Sequence, residues 1–157
     1  MALYFVERTY AIFTSQNLLH WELLQKFDLP GDDECPDLYP LTADDGRTLW
    51  VYSGAHDMYF VGDFDENGLY QPIQSVGQLS YNSQSYAAQT YYYEPGKPVI
   101  RFAWNRSDIP GAPFNGSMCT PTEMTLKKHG DRYYLSALPI KSTENLVVKS
   151  DKLDDLH

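Results

Sequence analysis

The sequence predicts an all-β fold of short antiparallel strands, on three observations. No window of the 157 residues sustains the 3.6-residue apolar repeat of a long amphipathic helix. Apolar residues recur instead with period two over short runs. Clusters of Gly, Pro, Asn and Asp interrupt those runs roughly every eight to twelve residues. A sandwich, a barrel and a propeller would each satisfy this pattern.

Taken in order, Ala2 to Val6 and Thr9 to Thr14 are rich in Tyr, Phe, Ile and Val, and Glu7-Arg8 between them reads as a tight hairpin turn. Ser15-Gln16-Asn17 supplies turn chemistry, from which a single helical turn would return Leu18 and Trp21 to the core. Glu22 to Phe27 is extended and ends at Leu29-Pro30-Gly31-Asp32-Asp33. Ala43-Asp44-Asp45-Gly46 is a hairpin turn into the strand Leu49 to Ser53, with Trp50 in the core. From Met58 to Phe64, Met58, Phe60, Gly62 and Phe64 alternate with Tyr59, Val61 and Asp63, which is a strand.

The polar stretch Gln71 to Gln89 reads as a crossing between sheets. Strands follow at Thr90 to Tyr93 and Val99 to Trp104, around the turn Glu94-Pro95-Gly96-Lys97-Pro98; Ile100, Phe102 and Trp104 share one face and Arg101 takes the other. Asn105 to Asn115 is an irregular loop. Three short strands close the reading at Glu123 to Leu126, Tyr133 to Leu138 and Leu146 to Val148, with a turn at His129-Gly130-Asp131.

The length suits a single domain spanning residues 1–157. At 43% hydrophobic and 15% aromatic, with 13 Tyr, the composition is that of an ordered body, and tyrosine offers sugar-facing surfaces both an apolar face and a hydroxyl. A net charge of −9 excludes nucleic acid as a natural partner. Cys35 and Cys119 match no zinc spacing, and His20, His56, His129 and His157 show none either, so no metal and no cofactor are expected. Charge arrives too early in Met-Ala-Leu-Tyr-Phe-Val-Glu-Arg for a signal or membrane segment, so no membrane is expected and a cytoplasmic location is.

Five short motifs narrow the fold. Ser15-Gln16-Asn17-Leu18-Leu19-His20-Trp21, Glu34-Cys35-Pro36-Asp37-Leu38, Tyr59-Phe60-Val61-Gly62-Asp63-Phe64-Asp65, Tyr86-Ala87-Ala88-Gln89-Thr90 and Ala103-Trp104 occur in an order and spacing that resemble the later part of the catalytic propeller of glycoside hydrolase family 32. This is the β-fructosidase family of invertases, inulinases and levanases. The resemblance runs from about Leu3 to Leu146 and implies a partial β-propeller of about two and a half to three blades, lacking the first blades and the β-sandwich that follows the propeller in the family.

It also implies a site. Glu34 takes the position of the family's proton donor, with Asp32, Asp33 and Asp37 near it in sequence, and Cys35 that of the cysteine beside the donor. Trp104 matches a tryptophan lining the sugar pocket, with a core position the alternative, and Tyr81 and Tyr86 are retained aromatics of the substrate surface. Ser80, Asn82 and Gln84 replace the two aspartates and the glycine of an Asp-Tyr-Gly-x-Asp-Phe-Tyr-Ala pattern, and Pro121-Thr122-Glu123 stands where the family tends to have Pro-Arg-Glu. The chain has no Asn-Asp-Pro or Arg-Asp-Pro motif and no Asp-Pro step, so the family's nucleophile and stabilising aspartate are absent. A retaining glycosidase needs both carboxyls. The expectation is therefore a family-related protein, inactive as an isolated chain. A carbohydrate-binding or structural module, or one half of a two-chain enzyme, is the alternative. The expected partners are a fructose-containing sugar and a second copy or complementary chain covering the open blades.

Overall fold

The computed structural model describes residues 2–6, 9–91 and 96–150. The hairpin turn expected at Glu7-Arg8, the strand end at Tyr92-Tyr93, the first part of the turn from Glu94, and His157 lie outside the described residues.

Three antiparallel sheets follow one another along the chain. The first joins β1 (Ala2–Val6), β2 (Thr9–Thr14) and β3 (Glu22–Phe27). The second is the four-stranded meander β4 (Asp37–Thr42), β5 (Thr48–Ser53), β6 (Met58–Phe64) and β7 (Tyr70–Pro72), with β8 (Gly77–Gln78) pairing the start of β6. The third runs β9 (Ser85–Tyr91), β10 (Val99–Asn105), β12 (Thr122–His129) and β13 (Arg132–Pro139), with β11 (Ser117–Met118) on the far end of β10. Two four-stranded meanders and a three-stranded sheet, stacked face to face, form a partial β-propeller.

The stacking explains why the middle sheet is apolar on both faces. On one side Tyr39, Leu41, Leu49, Val51, Tyr59 and Val61 pack against Val99, Met124, Leu126 and Tyr133 of the third sheet. On the other, Leu38, Trp50, Tyr52, Phe60 and Phe64 meet Tyr10, Ile12 and Phe27 of the first. The alternation expected for residues 58–64 is thus the two faces of β6. Gly62 is required by close approach, since a Cβ there would stand 2.8 Å from the ring of Tyr70, whose hydroxyl donates to the Trp50 carbonyl. Pro40 is tolerated in β4 because that strand pairs on one side only, with β5.

The same polar device joins each pair of neighbouring sheets. The Gln25 amide donates to the Tyr70 carbonyl and accepts from its N–H, at 2.9 and 2.8 Å. Gln74 does the same to Tyr133, at 2.7 and 2.8 Å. Asp44 and Asp45, in the hairpin turn closed by Gly46 at φ 86°, add a hook onto the third sheet: they accept from the Lys128 N–H and the Tyr133 hydroxyl.

Three expectations are corrected. Leu18 and Trp21 do not return to the core but stand 72% and 39% exposed. Their turn is held by side chains, Ser15 Oγ accepting from Leu18 N–H and Asn17 Oδ1 from Leu19 and His20 N–H, not by a helical turn. Gln71 to Gln89 is more than a crossing, because it contains β8, the end of β7 and most of β9. Leu146 to Val148 is not a strand: a 3₁₀ helix spans Lys141–Leu146, and Val147 and Val148 are exposed with no strand to pair with among the described residues. The face division expected for β10 holds, with Ile100, Phe102 and Trp104 on one face and Arg101 on the other; it is the Arg101 face, with Val99 and Ala103, that is buried, and Trp104 is exposed.

Candidate functional site

Glu34 lies in the loop that leads into β4, and its backbone is held tightly. Its carbonyl accepts from the Tyr10 hydroxyl at 2.7 Å and the Ala55 N–H at 2.9 Å. Ala55 belongs to the turn Gly54–Asp57 between β5 and β6. Gly54 is needed there, since a Cβ would fall 2.4 Å from the Asp32 carboxyl carbon and 2.5 Å from the Tyr10 hydroxyl. Next in that turn, His56 donates its N–H to Asp32 Oδ2 at 2.6 Å and sets Nδ1 3.1 Å from Asp32 Oδ1.

The Glu34 side chain reaches the neighbouring sheet, where the Tyr86 hydroxyl donates to its Oε2. That bond, then partial burial and the negative charge, push the Tyr86 phenol up to about 12. Tyr86 is in edge-on contact with His56 at 4.9 Å and with Trp104 at 6.3 Å between centroids. The Arg106 guanidinium lies 4.1 Å over its ring and donates to the Ser83 carbonyl. Beside Glu34, the Cys35 thiol is pushed up by burial and then by Glu34 and Asp32, which keeps it protonated and a poor nucleophile. Its carbonyl accepts from the Gln89 amide.

Three residues here have left-handed backbone without being glycine: Cys35 at φ 47°, Asp57 at φ 64° and Ala87 at φ 51°. Each directly follows a site side chain, namely Glu34, His56 and Tyr86. Such conformations cost roughly 1–3 kcal/mol each and persist only where surrounding bonds impose them. Ala87 also marks an irregularity in the β9–β10 register, which shifts between Phe102 and Trp104; a bulge of this kind re-aims the neighbouring side chain, here Tyr86. The freed Ala87 N–H donates to the Ala55 carbonyl at 3.0 Å, so one peptide turn touches both Glu34 and the Tyr86 strand.

Of the residues singled out in the sequence, Glu34, Cys35, Tyr86 and Trp104 therefore come together. Tyr81 stands apart, 87% exposed, on an open groove of about 200 Å3 that it lines with His56, Asn82 and Arg106. A wider groove of about 380 Å3 between Thr42, Lys97 and Met124 lies at the far end of β4 from Glu34. Of the nearby aspartates, Asp32 is engaged by His56, and Asp37 accepts from the Thr90 N–H at 2.6 Å, burial raising its carboxyl above the usual range. Sequence reasoning missed Tyr10, Arg106 and the buried pair Asp57–Arg101. The one available signal was Arg101, a charge in an otherwise apolar strand. Thr122 pairs with Arg101 across β10 and β12.

The Glu34 loop is thus bonded across to an aromatic cluster of Tyr86, His56 and Trp104 at the junction of two neighbouring sheets. The profile of the glycosyl hydrolases family 32 N-terminal domain matches residues 5–137, and the chain belongs to that family. It is similar to a fructan beta-fructosidase of Streptococcus mutans, at 29% identity over 86% of this chain and 11% of the relative. It is also similar to a levanbiose-producing levanase of Bacillus subtilis, at 26% over 91% of this chain and 32% of the relative. Among solved structures, the exo-inulinase of Aspergillus awamori superposes with a TM-score of 0.71 at 26% identity, covering 84% of this chain and 31% of that one. The chain thus spans about a tenth to a third of the length of these proteins.

Proposed function

We propose that the chain carries the proton-donor side of a β-fructoside-cleaving site, with Glu34 as the acid and Trp104, Tyr86 and Tyr81 as sugar-facing aromatics. The observation that supports this reading is the Tyr86 hydroxyl bonded to Glu34 Oε2, a contact between a carboxyl and the aromatic cluster of Tyr86 and Trp104 on the next sheet. Protonating the leaving oxygen is half of the retaining mechanism. The other half is a carboxylate about 5–5.5 Å away that attacks the anomeric carbon, and no Asn-Asp-Pro motif supplies it in this sequence. These 157 residues by themselves therefore carry the donor half and are expected to be inactive, one half of an enzyme assembled from two chains being the alternative. Purified chain incubated with sucrose, inulin and levan is expected to release no fructose. Release that disappears in Glu34→Gln would overturn the inactivity and establish a full site.

A second reading, a non-catalytic sugar-binding module, is favoured by the exposure of Tyr81 and Trp104 at 87% and 45%. Calorimetric titration with fructose, sucrose and inulin separates it from an inert remnant. We further propose that a second copy or a complementary chain covers the apolar end of the first sheet, where Leu18, Leu19, Trp21 and Leu23 are exposed; a dilute monomer by light scattering would refute self-association.

A further inference from the structure

Arg101 touches neither Glu34 nor Tyr86, yet it holds the segments that carry both. From β10 its Nη2 donates to Asp57 Oδ1 at 2.5 Å and to Ser85 Oγ at 3.1 Å. Asp57 ends the turn whose Ala55 N–H grips the Glu34 carbonyl and whose His56 grips Asp32. Ser85 immediately precedes Tyr86 in β9. We propose that Arg101 is the positioning residue of this site: by tying Asp57 to Ser85 it sets the spacing of two loops from adjacent blades, and so holds the Tyr86 hydroxyl on the Glu34 carboxylate.

Burial makes the tie consequential. Arg101 and Asp57 are 8% and 5% exposed, and Asp57 Oδ2 is buried with no hydrogen-bond partner. Without Arg101, the Asp57 carboxylate loses the counter-charge that offsets its desolvation. Its turn must then shift toward water and carry Ala55 and His56 with it. Ala87, in β9 beside Tyr86, keeps a left-handed backbone that an alanine adopts only where its surroundings impose it, and the Arg101 tie to Ser85 is part of those surroundings. The meaning for catalysis rests on reading Glu34 as the donor; the geometry is testable whether or not any sugar is cleaved.

The test is the titration of Tyr86 in the full chain carrying tyrosine labelled with 13C at Cζ, its resonance assigned by its loss in Tyr86→Phe. In the unaltered protein Tyr86 is expected to titrate at about 12, raised first by its bond to Glu34. In Arg101→Met it is expected to fall toward the ordinary value of about 10, with Arg101→Lys between the two. Loss of a positive charge would by itself raise the phenol, so a fall reports geometry. Glu34, Cys35, His56 and Arg106, the ionisable groups around Tyr86, are unchanged in these variants. Leu126→Ala, a core truncation in the third sheet, is expected to leave Tyr86 near about 12. A fall counts only where far-UV circular dichroism shows the variant still folded at the pH of the Tyr86 midpoint; folded Arg101→Met with Tyr86 unmoved, or an equal fall in folded Leu126→Ala, would overturn the proposal. If Arg101→Met does not fold, Ser85→Ala decides: a fall supports the tie and an unchanged value refutes it.

Discussion

Tyr86, near the start of the first strand of one blade, donates its phenolic proton to Glu34, which stands just before the first strand of the blade preceding it. Neither residue is near the other in sequence, and neither is held by its own strand alone. The Ala55 peptide bonds to the Glu34 carbonyl on one side and to the Ala87 N–H on the other, so the contact belongs to the interface between blades.

Glu34→Gln removes the charge that the Tyr86 proton faces while keeping an acceptor oxygen. Because the bond to Glu34 is the largest cause of the raised phenol, Tyr86 is expected to titrate below its present value of about 12 and nearer about 10. The 13C-tyrosine titration measures this directly; an unmoved Tyr86 would show that burial, not Glu34, holds the proton.

Stability should fall at alkaline pH. Tyr10, Tyr39, Tyr52, Tyr59 and Tyr70 are all raised above the ordinary tyrosine value, burial being the first cause in each. An unfolded chain loses these protons near about pH 10 while the folded one keeps them. Above that pH the unfolded state therefore binds fewer protons, and unfolding becomes easier as pH rises. The contribution is fully present below about pH 9 and is lost as pH climbs through the raised values. Urea midpoints at pH 8 and pH 10.5 are expected to drop in that order, and equal midpoints would contradict the burial assignments.

Tyr52→Phe should be harmless or stabilising. The Tyr52 hydroxyl is buried without a hydrogen-bond partner, whereas its ring packs edge-on against Phe27 at 4.6 Å and Tyr10 at 5.3 Å. Deleting the oxygen relieves a desolvation cost of about 1–3 kcal/mol and leaves those ring contacts intact. Chemical denaturation checks the sign, and a loss of more than about 1 kcal/mol would mean that the hydroxyl has a partner in solution.

Gln74→Ala opens one of the two glutamine clasps. It leaves the Tyr133 N–H and carbonyl without the bonds at 2.8 and 2.7 Å at a half-buried site, a loss of about 1–3 kcal/mol. Gln25→Ala should cost a similar amount at the other sheet interface, where Tyr70 occupies the equivalent place. Urea denaturation of each variant gives the comparison.

Much of this protein could be read from local sequence. Period-two alternation located β5, β6 and β10, and the Asp45-Gly46 step located a hairpin, because strand faces and positive-φ turns are set by residues a few positions apart. The order of short motifs carried Glu34, Cys35, Tyr86 and Trp104, and the family with them. What sequence could not supply was which face each element would bury and which loops would meet. Leu18 and Trp21 have the pattern of core residues but find no neighbouring surface among the described residues. Leu146 to Val148 has strand composition, but the chain turns through a 3₁₀ helix at Lys141–Leu146 and no strand among the described residues pairs with it. Arg101 is placed by alternation on the face opposite Trp104, but only blade stacking decides that this face is buried and that Arg101 meets Asp57 there. Strand propensity acts over a few residues, whereas the Arg101–Asp57 tie, the glutamine clasps and the Tyr86–Glu34 bond each join positions at least 44 residues apart, a separation that only the packing of whole blades closes.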